Sequence, residues 1–340
     1  MPQWAGSCWY YLRYLDAQNE ERFAGEAAEK YWMNVDLYVG GTEHAVLHLL
    51  YARFWHKVLF ALGHVSTPEP FQRLVNQGII LGEDGQKMSK SRGNVINPDV
   101  VIGEYGADAF RLYEMFMGPL EMMKPWSTQG VEGVYRFLGR VWRLFIDDSS
   151  YKDYEQAVTT APDTAEAGLT ELKLHAAISD AEPTEEQMKV LHACIKKVTE
   201  DLEGMRFNTA ISALMVFSNE ASKWDTRPRA VLGTFLNLLN PFAPHLAEDL
   251  AARLSAVPGG TLAYQPWPAY DDAYLVEDTI EFPVQVNGKL RGHIVIAPDT
   301  PREEIERLAL ECEKVQQFIS GKEIKKVIVV PNRLVNIAAK

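Results

Sequence analysis

The sequence predicts a multidomain protein that joins an α/β region, an all-α helical bundle and a small α+β module. Three observations predict it: a strand–glycine–helix pattern near residue 40, a long series of helical patterns after residue 128, and an Asn-Gly hairpin signal at residues 287–288. A chain of 340 residues fits two or three domains of about 150 residues each. We place the domain boundaries at residues 1–125, 126–272 and 277–340.

The α/β region begins with the apolar run Asp36–Val39, which predicts a strand that ends at Gly40-Gly41. Beyond Glu43, apolar residues recur at three- and four-residue steps, which predicts a helix whose apolar side includes Val46, Leu49, Leu50, Phe54 and Val58. Strand, glycine turn and helix make the βα unit of nucleotide-binding α/β layers. Ile79–Leu81 predicts another short strand, and Pro98 and Gly106 mark two further helices.

From Thr128 to about Pro244 the patterns predict four or five helices, which is typical of a helical bundle. Thr184 and Gln187 form a capping box before one of them. Pro228 and Pro244 stand where the first turn of a helix tolerates proline. The stretch Ser149–Thr170 is polar and aperiodic, so we predict a surface loop or insertion there.

The last 60 or so residues predict a small α+β module. Two alternating runs flank Asn287-Gly288, which is a strong hairpin signal. Thr300 and Glu303 predict a second capping box that opens a helix. The runs "KKVIVV" and "LVNIA" predict two more strands joined by Pro331-Asn332.

Composition limits the class of protein. There are 34 Lys and Arg residues against 46 Asp and Glu, a net charge of −12, which argues mildly against a nucleic-acid binder. The segment Lys314–Lys340 is nevertheless basic. Three widely separated cysteines and the lack of CxxC spacing argue against a disulfide framework or a zinc site, and favour the cytoplasm. No secretory signal or apolar run of about 18 residues is present.

The segment Gly82–Asn97, "GEDGQKMSKSRGNVIN", has the composition of a phosphate-handling loop. Lys87 and Lys90 place two positive charges on a glycine-rich loop, and Ser89 and Ser91 add hydroxyl donors. Donors aimed at charge that develops during a reaction lower its barrier. The Walker pattern does not fit. Taken alone, the segment is equally compatible with a solvated basic loop.

Lys87–Ser91 spells KMSKS, and this segment resembles the second signature of class I aminoacyl-tRNA synthetases. Its surroundings resemble the leucyl-tRNA synthetase family in particular, and the resemblance covers essentially the whole chain. The segments that carry it, in chain order, are "GSCWYYLRY", "DLYVGGTEHAVLHLLYARFWHKVL", "KMSKSRGNVINPD", "YGADAFRLYEMFMGPLE", "MRFNTAISALM", "PFAPHLAEDL", "VQVNGKLRG" and "VIVVPNRLVNI".

The resemblance implies the second half of a class I Rossmann-like catalytic domain, an anticodon-binding bundle and a terminal module that contacts tRNA. In such enzymes the loop closes over ATP and stabilises the departing pyrophosphate, together with Mg²⁺. Lys87 and Lys90 would be the catalytic residues, with Lys90 in direct contact with phosphate. His48 would line the leucine pocket. The residues expected to bind ATP are Gly40, Gly41, Glu43, His44, Met88, Ser89, Lys90 and Ser91.

Each of these assignments has a simpler alternative. His44 and His48, four residues apart on one helix face, could ligate zinc, although no HExxH motif or third ligand is evident. His48 could instead be a packed core histidine, and Glu43 a helix-start carboxylate favoured by the helix dipole. Gly40-Gly41 could be an ordinary tight turn. We expect no structural metal in this chain.

The resemblance implies leucine tRNA as the macromolecular partner. Arg136, Arg140 and Arg143 share one helix face and would contact the RNA backbone, or else form a solvated face. In the last module the basic patch is Lys322, Lys325, Lys326 and Arg333, where contacts with phosphate would depend on salt. The cluster Trp4, Trp9, Tyr10 and Tyr11 could stack on bases, but we favour buried packing.

The first class I signature, His-x-Gly-His, does not occur in this sequence. We therefore expect a carboxy-terminal portion of a synthetase, either a fragment or a split subunit, that lacks the editing domain. We expect it to be inactive alone, because proximity and orientation effects require a complete site. Completed by the missing half, it would use leucine and ATP in protein biosynthesis. The alternatives are a valyl-, isoleucyl- or methionyl-type portion, or a non-catalytic RNA-binding module, because a fold alone does not fix function.

Overall fold

A computed structural model describes residues 4–161, 168–169, 171–257, 260–276, 280–297, 300–330 and 333–340. The chain forms two compact units, Met1–Tyr270 and Asp271–Lys340. Within the described residues, no helix is long and apolar enough to cross a membrane. The division of the first unit at residue 125 stays a prediction.

The first part of unit one is an α/β region of short elements. The strands are β1 (Val35–Gly41), β2 (Phe71–Gln77), β3 (Ile80–Leu81) and β4 (Lys124–Pro125). They form two small parallel sheets, one from β1 and β2 with Val35 opposite Phe71, the other from β3 and β4. The helices are α1 (Tyr10–Arg13), α2 (Glu26–Trp32), α3 (His48–Ala61), α4 (Pro98–Tyr105) and α5 (Ala107–Phe116).

The predicted glycine turn and helix start are wrong in detail. Gly40 and Gly41 are the last two residues of β1, paired with Asn76 and Gln77, because glycine adopts extended backbone as readily as a turn. A 3₁₀ turn, Thr42–His44, follows, and α3 begins only at His48. His44 and His48 therefore do not share a helix face.

The apolar side predicted for α3 is largely exposed. Val46, just before the helix, and Leu50 and Phe54 are 74%, 60% and 57% exposed, whereas Leu49 is buried. The face of α3 that packs inward carries Leu49, Ala52 and His56. The periodicity identified the helix correctly but misplaced its buried face, and the exposed side forms an apolar stripe of Val46, Leu50 and Phe54.

The helical bundle follows and has the dominant core of unit one. Its core includes Phe137, Phe217, Phe235 and Leu214, all essentially inaccessible to solvent, and α4 and α5 contribute Val101 and Leu112. The predicted capping box of Thr184 and Gln187 is confirmed. The helices are α6 (Thr128–Phe145), α7 (Asp148–Thr160), α8 (Glu185–Glu203), α9 (Phe207–Ala221), α10 (Arg229–Leu239) and α11 (Pro244–Leu254); strands β5 (Ile178–Ser179) and β6 (Arg227–Pro228) pair in parallel.

Helix α7 overturns the prediction of a loop at residues 149–170 for the part up to Thr160. Asp147 caps it, its side chain accepting hydrogen bonds from the N–H groups of Ser149 and Ser150. The helix has no buried residue, so its sequence carries no apolar period. Tyr151 contacts the ring of Trp142 edge-on at 6.1 Å between ring centroids. Residues 162–167 and 170 lie outside the described residues.

Unit two is a four-stranded sheet with two helices on one face. Its strand order is β8-β7-β10-β9, with β10 parallel to β7. The predicted hairpin is confirmed, and Asn287 and Gly288 have the positive φ angles of its tight turn. The strands are β7 (Ile280–Val286), β8 (Lys289–Ile296), β9 (Ile324–Val330) and β10 (Leu334–Ala339); the helices are α12 (Arg302–Glu311) and α13 (Glu313–Ile319).

The second predicted capping box is wrong although its helix is present. Pro301 is the N-cap of α12, and the hydroxyl of Thr300 donates backwards to the carbonyl of Ala297 instead. A hydroxyl that bonds locally to its own turn is not available to the helix. The predicted Pro331-Asn332 connection lies outside the described residues.

Candidate functional site

The loop Gly82–Asn97 is tied together at its base. The N–H of Gly82 donates to the carbonyl of Gln86 at 2.8 Å. Asn94 crosses the loop: its side-chain oxygen accepts from the N–H of Ser89 at 2.9 Å, and its Nδ2 donates to the carboxylate of Asp84 at 3.1 Å. Gly85 and Gly93 have positive φ angles, which glycine adopts without a steric penalty. The loop therefore has a defined frame.

The two signature lysines project from this frame into solvent. Lys87 and Lys90 are exposed, and neither forms an ion pair with any described residue. Ser89 and Ser91 lie side by side, with 3.2 Å between their hydroxyl oxygens. Met88 packs against the bundle core. The loop thus presents two exposed cations and two neighbouring hydroxyls, and Met88 anchors it to the bundle.

One carboxylate joins this loop to the bundle. Oε1 of Glu83 accepts hydrogen bonds from the N–H and the hydroxyl of Thr128, the first residue of α6, at 3.1 and 2.8 Å. These bonds lower the pKa of Glu83, the hydroxyl of Thr128 being the larger cause. Sequence reasoning did not identify this residue.

A small aromatic pocket lies beside the end of β1. Its volume is about 270 Å³, and the described residues that line it include Trp4, Tyr10, Tyr38, His44 and His48. The Tyr38 hydroxyl is 2.6 Å from Nε2 of His48 and 2.5 Å from the Tyr10 hydroxyl, which makes a chain of hydrogen bonds. Tyr38 was missed as a site residue; its position two residues before Gly40 is the only signal that could have found it. Tyr10 was considered only for base stacking or buried packing, and it is 36% exposed.

Burial shifts the pKa values of two ionisable groups in this pocket. It lowers the pKa of His48, and the neighbouring His44 lowers it further, so the imidazole favours its neutral form. Burial and the hydrogen bond shared with Tyr10 raise the pKa of Tyr38, which keeps its proton. The rings of His44 and His48 meet edge-on at 6.3 Å, although the two residues lie on different elements. Nδ1 of His44 is buried without a hydrogen-bond partner in the described part of the chain.

The two glycines of β1 have different surroundings. A Cβ on Gly40 would meet nothing within 4 Å, so the backbone there is open to an approaching molecule. A Cβ on Gly41 would collide with the carboxylate of Glu43, which folds back over it. Glu43 is exposed and belongs to the 3₁₀ turn, not to the start of an α-helix. No cluster of three or more metal-ligating side chains occurs within the described ranges.

The remaining predicted residues form two groups, one on α6 and one in unit two. Arg136, Arg140 and Arg143 are all exposed on α6; Arg136 pairs with Glu132 at 3.8 Å, and Arg140 lies over the ring of Phe137. Trp9 packs against Phe23, and Tyr11 is buried, which agrees with packing for this part of the aromatic cluster.

In unit two, the predicted basic patch is divided. Lys325 and Lys326 are consecutive in β9, so their side chains point to opposite faces of the sheet. Lys325 also pairs with Glu323 at 2.6 Å. Lys322 and Arg333 flank the two ends of β9. The four residues therefore do not form a single patch on one face of the sheet.

Comparison with known proteins relates both regions to tRNA ligases. Residues 29–122 match the family "tRNA synthetases class I (I, L, M and V)", and residues 186–307 match "Anticodon-binding domain of tRNA ligase". Over 99% of its length the chain is 52% identical to leucine–tRNA ligase from two strains of Leptospira biflexa serovar Patoc. The chain is therefore similar to leucyl-tRNA synthetases over nearly its whole length.

The similarity to leucyl-tRNA synthetases extends to three dimensions. The chain resembles the crystal structure of a ternary complex of Agrobacterium radiobacter K84 agnB2 LeuRS with tRNA and LeuAMS, with a TM-score of 0.71 and 33% identity over 98% of the chain. The chain spans 36% of the length of the Leptospira relatives and 41% of the chain in that structure. It therefore matches a portion of a leucyl-tRNA synthetase rather than its full length.

Proposed function

We propose that this chain is part of an enzyme that activates leucine with ATP and transfers it to leucine tRNA. The observation that carries the proposal is the KMSKS loop, which presents Lys87 and Lys90 without ion-pair partners in the described structure. The 52% identity to leucine–tRNA ligases supports leucine over valine, isoleucine or methionine.

Lys87 and Lys90 act on the triphosphate of ATP. As the leucine carboxylate attacks the α-phosphorus, negative charge accumulates on the departing pyrophosphate, and preorganised cations stabilise it. Lys90 contacts phosphate directly, and Ser89 and Ser91 donate from beside it. Mg²⁺ enters as part of the ATP substrate complex. The lack of competing carboxylate partners among the described residues leaves both ammonium groups available for this role.

The aromatic pocket holds the leucine side chain. A neutral His48 suits an apolar ligand, because a charged imidazole would have to lose its hydration. The open space at Gly40 admits the adenylate next to this pocket, where Glu43 and His44 line the ribose. The arginines of α6 and the lysines of unit two contact tRNA through phosphates.

The site needs further polypeptide to be complete. Val46, Leu50 and Phe54 form an apolar stripe that no described residue covers. We infer that another part of the synthetase packs on this stripe and supplies the groups that orient adenine and the α-phosphate. The chain alone therefore lacks amino-acid activation, since orientation contributes a large share of such rates.

Leucine-dependent ATP–pyrophosphate exchange tests the proposal. We expect no exchange with this chain alone, and exchange with leucine but not valine, isoleucine or methionine in a synthetase that contains it. Robust exchange by the chain alone would refute the need for further polypeptide. If Lys90→Ala in the complete enzyme leaves aminoacylation unchanged, the chain functions as a non-catalytic RNA-binding module instead.

A further inference from the structure

A second pocket, of about 350 Å³, lies in the bundle where α6 and α9 end. It shares no described lining residue with the aromatic pocket or the KMSKS loop. Three arginines, Arg140, Arg143 and Arg227, line it together with His175. Asp148 is the only carboxylate among the described residues that line it. The pocket is therefore strongly biased towards positive charge.

Arg227 forms the floor of this pocket. Its side chain is buried, with only 7% of the residue exposed, and it forms no ion pair with a carboxylate in the described chain. Its guanidinium donates to the carbonyls of Leu144 at 2.9 Å and Ser222 at 3.3 Å, at the last turns of α6 and α9. Helix C-termini carry partial negative charge, which would repel an anion. Arg227 offsets that charge and makes the floor compatible with one.

The walls provide hydrogen-bond donors beyond those that the fold uses. Nδ1 of His175 accepts from the N–H of Ala177 at 3.1 Å, so the proton of the neutral ring is on Nε2. Burial, and then the charge of Arg227, lower the pKa of His175 and favour that neutral form. Arg140 and Arg143 are exposed and form no ion pair with a described residue. Asn219, which carries a side-chain amide, also lines this pocket.

We propose that this pocket binds a single phosphate group. Guanidinium groups match the geometry of phosphate oxygens and form charge-assisted hydrogen bonds with them, and the imidazole and amide N–H groups add neutral donors. The phosphate belongs either to an RNA backbone or to a small phosphorylated molecule. Only the RNA source rests on the proposed function, because the pocket's affinity for phosphate is independent of catalysis.

Titration of the whole chain with inorganic phosphate, at constant ionic strength set by chloride, tests the pocket. We expect saturable NMR shifts of the His175 ring and of the Arg143 Nε–H. Because a hydrogen bond to a charged group contributes about 1.5–3 kcal/mol, Arg143→Gln should weaken phosphate binding by about ten-fold or more. Arg111→Gln is the control, since Arg111 is an exposed arginine of α5 that lies outside the pocket, and its replacement should have no effect.

Absence of saturable shifts at His175, or equal weakening by the two variants, would overturn the proposal. A second titration identifies the source of the phosphate. If leucine tRNA removes the phosphate-induced shifts, the group comes from the RNA backbone. If tRNA binds in a salt-dependent manner but leaves these shifts in place, the RNA source is refuted and a small phosphorylated ligand is supported. If tRNA does not bind at all, the RNA contacts proposed for this chain fail while phosphate binding stands.

Discussion

The bundle and the α/β region of unit one differ in how much of their apolar surface they bury themselves. The bundle encloses stacked aromatic rings such as Phe217 and Phe235, 4.6 Å apart at their centroids. The separate core of the α/β region consists of Cys8, Tyr11, Leu12, Ala52 and Val65 with partly buried neighbours. Each large apolar side chain that is fully buried contributes roughly 1.5–3 kcal/mol. The region with the aromatic pocket therefore depends more on neighbours than the bundle does.

Truncating one phenylalanine in each region should give the largest difference, measured as the change in the free energy of unfolding. Phe235→Ala removes a fully buried ring and should lower the free energy of unfolding by about 3–5 kcal/mol. Phe54→Ala removes an exposed ring of the apolar stripe and should change it by less than about 0.5 kcal/mol in this chain. Urea unfolding of both variants measures this. Equal losses would show that the α/β region buries Phe54 after all, and the comparison would fail.

The next largest effect concerns catalysis rather than stability. In a synthetase that contains this chain, Lys90→Ala should reduce leucine-dependent ATP–pyrophosphate exchange by about 10²–10³-fold, the usual loss when one preorganised charge-stabilising group is removed. Arg92→Ala, an exposed cation of the same loop outside the signature, is the control. The unfolding midpoint should stay the same in both variants. A comparable loss with Arg92→Ala would indicate a general effect of loop charge.

Acid should loosen the α/β region through its buried histidine. His56 is fully buried; its Nε2 donates to the carbonyl of Thr67 at 2.9 Å and its Nδ1 accepts from the hydroxyl of Tyr11 at 3.0 Å. Burial lowers the pKa of His56, so the unfolded state binds its proton at higher pH than the folded state. Stability is therefore complete above the unfolded value near 6.5 and falls as the pH decreases below it.

Hydrogen exchange of α3 amides between pH 7 and 5, corrected for intrinsic rates, measures this loosening. We expect protection in α3 to fall before protection in α9, and His56→Gln to reduce the pH dependence. A fall of the same size in α9 would place the sensitivity in the bundle, where the pKa of His175 is also lowered.

The smallest expected effect distinguishes the two faces of β9. Lys326→Ala should reduce the slope of log affinity for leucine tRNA against log salt by about one, if this ammonium group contacts a phosphate. Lys325→Ala, on the opposite face and paired with Glu323, should leave the slope unchanged. The reverse result would assign the RNA contact to the sheet face that carries Lys325.

Local patterns were sufficient for much of the fold. The capping box at Thr184, the hairpin at Asn287-Gly288 and the helix starts at Pro98 and Pro244 are confirmed, because each depends on residues only a few positions apart. Helix α7 was missed because it buries nothing and so leaves no apolar period. The start of α3 was misplaced because Val46 fits the helical period but precedes the helix.

The candidate site was predictable only in part. The KMSKS segment and His48 could be selected from the sequence, but their surroundings depend on contacts distant in sequence. Tyr10 reaches Tyr38 across 28 positions, and Glu83 reaches Thr128 across 45. The pocket of Arg227 likewise joins residues 83 positions apart. No local period records such pairings, so only the folded chain reveals them.

The Glu83–Thr128 contact has a thermodynamic consequence for the KMSKS loop. Thr128 opens the helix that carries Arg136, Arg140 and Arg143, and its N–H has no partner within that helix. A loop movement that withdrew Glu83 would remove the protein acceptor of that N–H. Any ligand that stabilises one position of the loop then biases the start of α6, and any ligand held by α6 biases the loop by the same free energy. If the loop binds ATP and α6 binds tRNA as proposed, this single carboxylate makes the two occupancies mutually dependent.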